Sequence, residues 1–120
     1  DWQSYRDFNE GFLLTKDGMD WFMDAYQFDP EDRRANPLEH DQSGMPPSLV
    51  VTAGLDPLRD QGRAYAETLK AAGVQTVYLE AAGNIHGYIN LRKGIPSVQD
   101  DIDANLAALK EMLATVMAEA

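Results

Sequence analysis

Two residues of this chain have types and surroundings suited to joint chemistry. Asp56 opens the stretch Asp56-Pro57-Leu58-Arg59-Asp60, just after the apolar run Leu49-Val50-Val51. His86, one of only 2 histidines, sits in Asn84-Ile85-His86-Gly87-Tyr88. A carboxylate that accepts a hydrogen bond from an imidazole fixes the ring's tautomer and steadies its protonated form, so that the other nitrogen can take a proton from a hydroxyl. Both residues also have plainer readings. Asp before Pro is a common turn signal, a lone loop histidine is often only hydrogen-bonded, and Asp60 suits the positive end of a helix. Spacing alone leaves these readings open.

The elements that would have to bring the pair together are legible. Ser48 to Gly54 is a short, continuous apolar run rich in β-branched residues, as in a parallel strand covered on both faces. Leu58, Gly62, Tyr65, Leu69 and Ala72 then recur at helical spacing, with Gly73 placed to end the helix. A second strand is expected around Thr76 to Glu80. A strand, helix, strand unit with such short connections is a right-handed crossover with parallel strands, whose carboxyl ends share one edge. Neighbouring strands lie about 4.8 Å apart, so loops as short as these allow Asp56 and His86 to meet. Ser97 with Asp100 resembles a capping box, and Val98, Ile102, Leu106, Leu109 and Leu113 make the stripe of a terminal helix.

The chain divides into residues 1–47, a helical segment with a proline-rich connection, and residues 48–120, the strand-helix-strand-helix part. In the first, Met19, Phe22, Met23 and Tyr26 follow one helix face, with Thr15 as cap and Asp17 in the first turn. Such a stripe is expected to pack rather than to line a substrate site. The acids Asp29, Glu31 and Asp32 lack the spacing and central glycine of a cation loop, and His40 lies in a charged, proline-flanked stretch that suggests no role.

Composition narrows the function classes. The formal net charge of −10 repels phosphate backbones and anionic membranes, and argues against a nucleic-acid partner. With 0 cysteines there is neither a disulfide framework nor a thiolate metal site, and no metal or cofactor is expected. No apolar run reaches the ~20 residues of a membrane span, so a cytoplasmic protein is expected. The first residue, Asp1, suggests a piece of a longer chain.

The stretch from Pro46 to Val74, followed by Gly83 to Leu91, closely resembles the C-terminal part of the hormone-sensitive-lipase-like α/β-hydrolases, the bacterial carboxylesterases with a helical cap. The family pattern Asp-Pro-Leu-Arg-Asp-Glu is matched by Asp56, Pro57, Leu58, Arg59 and Asp60, and His-Gly-Phe by His86 and Gly87. Asn36 to Asp41 is similar to the family segment leading into the first of these strands. Gln61 replaces an acid and Tyr88 a phenylalanine. The first removes a charge close to Asp56 without altering Asp56 itself, and the second adds a hydroxyl that would alter pocket polarity.

The resemblance implies an α/β fold, the C-terminal part of an α/β-hydrolase with parallel strands flanked by helices, preceded by a helical segment. It further implies carboxylic ester hydrolysis, with Asp56 as triad acid and His86 as general base. In this fold the nucleophile precedes the acid in the chain, yet Ser4, Ser43, Ser48 and Ser97 are the only serines and none stands in Gly-x-Ser-x-Gly. The expected partners are therefore a small ester and an N-terminal part of the same protein carrying the serine. By itself the segment is expected to be inactive. Other acyl transfers to water (amide, lactone or carbamate hydrolysis) and a non-catalytic interaction module remain alternatives. The second strand should be the sheet's last, and its uncovered edge suggests a homodimer.

Overall fold

In a computed structural model describing residues 2–119, the expected crossover unit is the centre of the chain. Strand β1 (Ser48–Leu55) and strand β2 (Thr76–Ile85) pair in parallel, in register from Ser48 with Thr76 to Ala53 with Ala81. Helix α3 (Arg59–Ala71) connects them. It ends as its sequence predicts, at Gly73, whose φ of 80° is the left-handed conformation that glycine adopts without penalty.

Alternation along the strands gives the sheet two unlike faces. Toward α3, Thr52 Oγ1 lies 2.7 Å from the Tyr78 hydroxyl, which donates to Glu80 Oε2 at 2.9 Å. Arg63 of α3 completes this network, donating to the same Glu80 oxygen at 2.6 Å. On the opposite face Ala53 and Ala81 form the apolar core with Tyr88, Val98 and Ile102. The last two belong to helix α4 (Val98–Glu119).

The second strand runs further than its sequence suggests because its end is bulged. Beyond Ala81, the residues Ala82, Gly83 and Asn84 stand against Gly54 alone, and pairing resumes at Leu55 with Ile85. Gly54 is needed here: a β-carbon would fall 2.1 Å from the Ala82 carbonyl oxygen and 2.6 Å from its carbon.

Two apolar stripes are less covered than their spacing predicts. In α4, Val98, Ile102 and Met112 are buried while Leu106, Leu109 and Leu113 are exposed. Leu106, Leu109 and Leu113 continue the face of Val98 and Ile102, and two strands about 4.8 Å apart cover only part of a 22-residue helix. In the N-terminal part, helix α1 (Gln3–Phe8) packs on α3, and helix α2 (Lys16–Tyr26) starts at Thr15, whose hydroxyl accepts from the Gly18 amide at 3.2 Å. No residue of α2 is buried, so Met19, Phe22, Met23 and Tyr26 do not pack into this core.

Candidate functional site

Asp56 and His86 meet where the two strands end. Leaving β1, the chain turns at once, with the Arg59 amide donating to the Asp56 carbonyl at 3.1 Å and the Leu58 amide to Asp56 Oδ1 at 2.8 Å. Proline at position 57 fixes φ and has no amide to satisfy, which suits its complete burial. The turn aims the other carboxylate oxygen, Oδ2, at His86 Nδ1, 2.8 Å away. Asp56 is only 6% exposed, so both of its oxygens are used inside the protein.

His86 owes its place to the bulge, which returns β2 to the edge of β1 at Ile85, one residue earlier. Just after it, Gly87 at φ 69° bends the chain into a short 3-10 turn, Tyr88–Leu91. The Tyr88 ring is buried in the core and its hydroxyl accepts from Asn105 of α4 at 2.6 Å. The hydroxyl that this chain carries in place of a phenylalanine edge is thus engaged by α4. An ionised carboxylate only accepts, so Nδ1 carries the hydrogen, and in the neutral ring Nε2 then keeps a free lone pair. The His86 side chain is 45% exposed.

Two clefts adjoin this imidazole. One, of about 490 Å³, has Thr52, Ala53, Tyr65 and Tyr88 in its wall; the other, of about 440 Å³, has Tyr5, Leu14, Met19, Phe22 and Met23. Leu58, Gln61 and His86 line both. Met19, Phe22 and Met23 of the α2 stripe, which its spacing predicts to pack, therefore face a cleft, and nothing in the residue types distinguishes these two uses. No serine lines either cleft.

The remaining polar candidates are accounted for. Arg34 binds both oxygens of Asp32, at 3.0 and 2.6 Å, and these bonds hold the Asp32 carboxyl at about 2. Among the described residues no group of three or more metal-ligating side chains comes together. His40 lines neither cleft beside the pair. Among the described residues no helix is long and apolar enough to cross a membrane.

The family described as alpha/beta hydrolase fold matches residues 1–90. The carboxylic ester hydrolase LipN of Mycobacterium tuberculosis is 47% identical over an alignment of 90 residues that covers 70% of this chain and 24% of LipN. Carboxylesterase NlhH of the same organism is 43% identical over 77 residues, 64% of this chain and 24% of NlhH. Among solved structures, a hyperthermophilic esterase from Pyrobaculum calidifontis superposes with a TM-score of 0.81 at 36% identity, over 92% of this chain and 38% of its own. The chain thus spans about a quarter of the length of the curated relatives it matches.

Proposed function

The chain belongs to the α/β-hydrolase fold family, in its hormone-sensitive-lipase-like branch, and from that premise we propose that it supplies the acid and base of a carboxylic ester hydrolase. The observation that carries this reading is the 2.8 Å contact between Asp56 Oδ2 and His86 Nδ1, with the rest of the imidazole facing open clefts. The names of the relatives, ester hydrolases and carboxylesterases, point to the same reaction class.

The nucleophile is a serine contributed from outside these 120 residues. Ser4 is fully buried with its hydroxyl bonded, and none of the four serines stands in a nucleophile elbow. His86 Nε2 takes the serine proton as the oxygen attacks the ester carbonyl, and Asp56 steadies the ring while it is charged. The same nitrogen returns the proton to the departing alkoxide. A water, deprotonated in its turn by Nε2, then cleaves the acyl-enzyme. Ester, amide, lactone and carbamate substrates all pass through this sequence, and profiling them sets the preference. A second copy pairing along the outer edge of β2 completes the proposed assembly.

The test is hydrolysis of a short-chain nitrophenyl ester by the full-length protein containing this chain and the serine. His86→Ala is expected to abolish turnover. Full activity in that variant ends the reading.

A further inference from the structure

We propose that Ser4 is a positioning residue: it grips the turn that presents Asp56 to His86, and so sets how firmly the base is held. The inference rests on the acid and base roles proposed above.

Ser4 has no exposed surface, and every polar group it offers to that turn is used. Its hydroxyl donates to the Pro57 carbonyl, 53 positions along the chain, at 3.0 Å. The same oxygen accepts from the Asp60 amide at 3.1 Å, and the Ser4 amide donates to Asp60 Oδ2 at 2.8 Å. The turn is therefore held at both ends, just after Asp56 and at Asp60. Between those points lies the Leu58 amide, which itself binds Asp56 Oδ1 and sets the rotation of the carboxylate.

Arg59 extends the grip to the strand. It donates to Asp60 Oδ1 at 2.9 Å and to the Gly54 carbonyl at 3.0 Å, and its guanidinium lies 5.3 Å from the centroid of the Phe8 ring on α1. Burial works against ionisation of Asp60, but the bonds from the Ser4 amide and Arg59 outweigh it and hold the carboxyl below its ordinary range. A charged, doubly bonded Asp60 is a firm anchor. Removing the Ser4 hydroxyl frees the Pro57 carbonyl and leaves the Asp60 amide without its acceptor. The turn can then shift, and with it the oxygen facing His86. The neighbouring residue on α1, Tyr5, lines the 440 Å³ cleft, so one helix borders that space and steadies the acid.

The experiment compares Ser4→Ala and Ser4→Thr in the full-length protein, reading kcat, KM, the pH profile of kcat and the proton resonance of His86 Nδ1–H. For Ser4→Ala we expect kcat to fall at least tenfold with KM within twofold. The acid limb should move to lower pH, because the charged ring loses support, and the Nδ1–H resonance should move upfield. Ser4→Thr, which keeps the hydroxyl, should restore them. An unchanged kcat, or a loss with the acid limb and the resonance unmoved, overturns the proposal. Should Ser4→Ala fail to fold, Asp60→Asn loosens the same grip from the other side, and an unmoved limb and resonance there overturn it equally. If His86→Ala is inactive while Ser4→Ala behaves as wild type, this inference alone fails; an active His86→Ala removes the reading beneath it.

Discussion

At the scale of single residues, the proposed site depends on one hydrogen atom. Asp56 Oδ2 lies 2.8 Å from Nδ1, and a carboxylate accepting there leaves Nε2 of the neutral ring without a hydrogen. Asp56→Asn keeps the shape, and its oxygen can still bind the Leu58 amide, but its NH2 group would face the ring and favour the opposite tautomer. In the full-length protein this should lower kcat by roughly 10⁴-fold while leaving the fold intact. Stopped-time ester assays beside a circular dichroism spectrum check both parts, and an activity within tenfold of wild type would contradict the assigned geometry. A meeting of the two partners is legible in the sequence because each follows a strand and parallel strands put those ends together, while it is the resemblance to the family motifs that singles the pair out. Ser4 is not legible. A serine in a short amphiphilic helix carries no mark of a partner more than fifty positions away.

At the scale of elements, local signals predict starts and stops better than coverage. The cap at Thr15 and the end of α3 at Gly73 follow from single residue types acting on their own turn. The length of β2 does not, because its bulge depends on a close approach to Gly54 from another element. The polar face of the sheet carries a prediction of its own. Burial raises the Glu80 carboxyl, but hydrogen bonds from Arg63 and Tyr78 outweigh it, so Glu80 titrates below its ordinary range when folded. A lowered folded value means that the contribution is complete above the unfolded value of about 4.3 and is lost as pH falls past it. Between about pH 5 and pH 3 the wild-type urea midpoint should therefore decline more steeply than that of Glu80→Gln. Parallel declines would show that the Arg63 pair, half in solvent, contributes nothing measurable.

At the scale of the whole molecule, the chain is more open than its length requires. Its radius of gyration is 15.7 Å, whereas compact domains of this size have roughly 13 to 14 Å. Trp21 at 66% exposure, Tyr26 at 73% and Met117 at 79% show where apolar surface meets solvent. An apolar stripe in a sequence predicts that something covers it, without saying whether the cover is this chain, the serine-bearing segment or a second copy. We expect the 120-residue chain alone to hydrolyse nitrophenyl esters no faster than buffer, and co-expression with the serine-bearing segment to restore turnover. Light scattering of the full-length protein at micromolar concentration should give twice the monomer mass, and a monomeric mass would remove the proposed pairing along β2. The bulge bears on how such a molecule can vary in length. Opposite a two-residue step on β1, from Ala53 to Leu55, the partner strand takes four, from Ala81 to Ile85. The surplus is even, so the up-and-down parity of the backbone survives the detour. Losing one residue there would invert every later position and carry the imidazole to the wrong side of the sheet, whereas a change by pairs would keep its heading and alter only its reach.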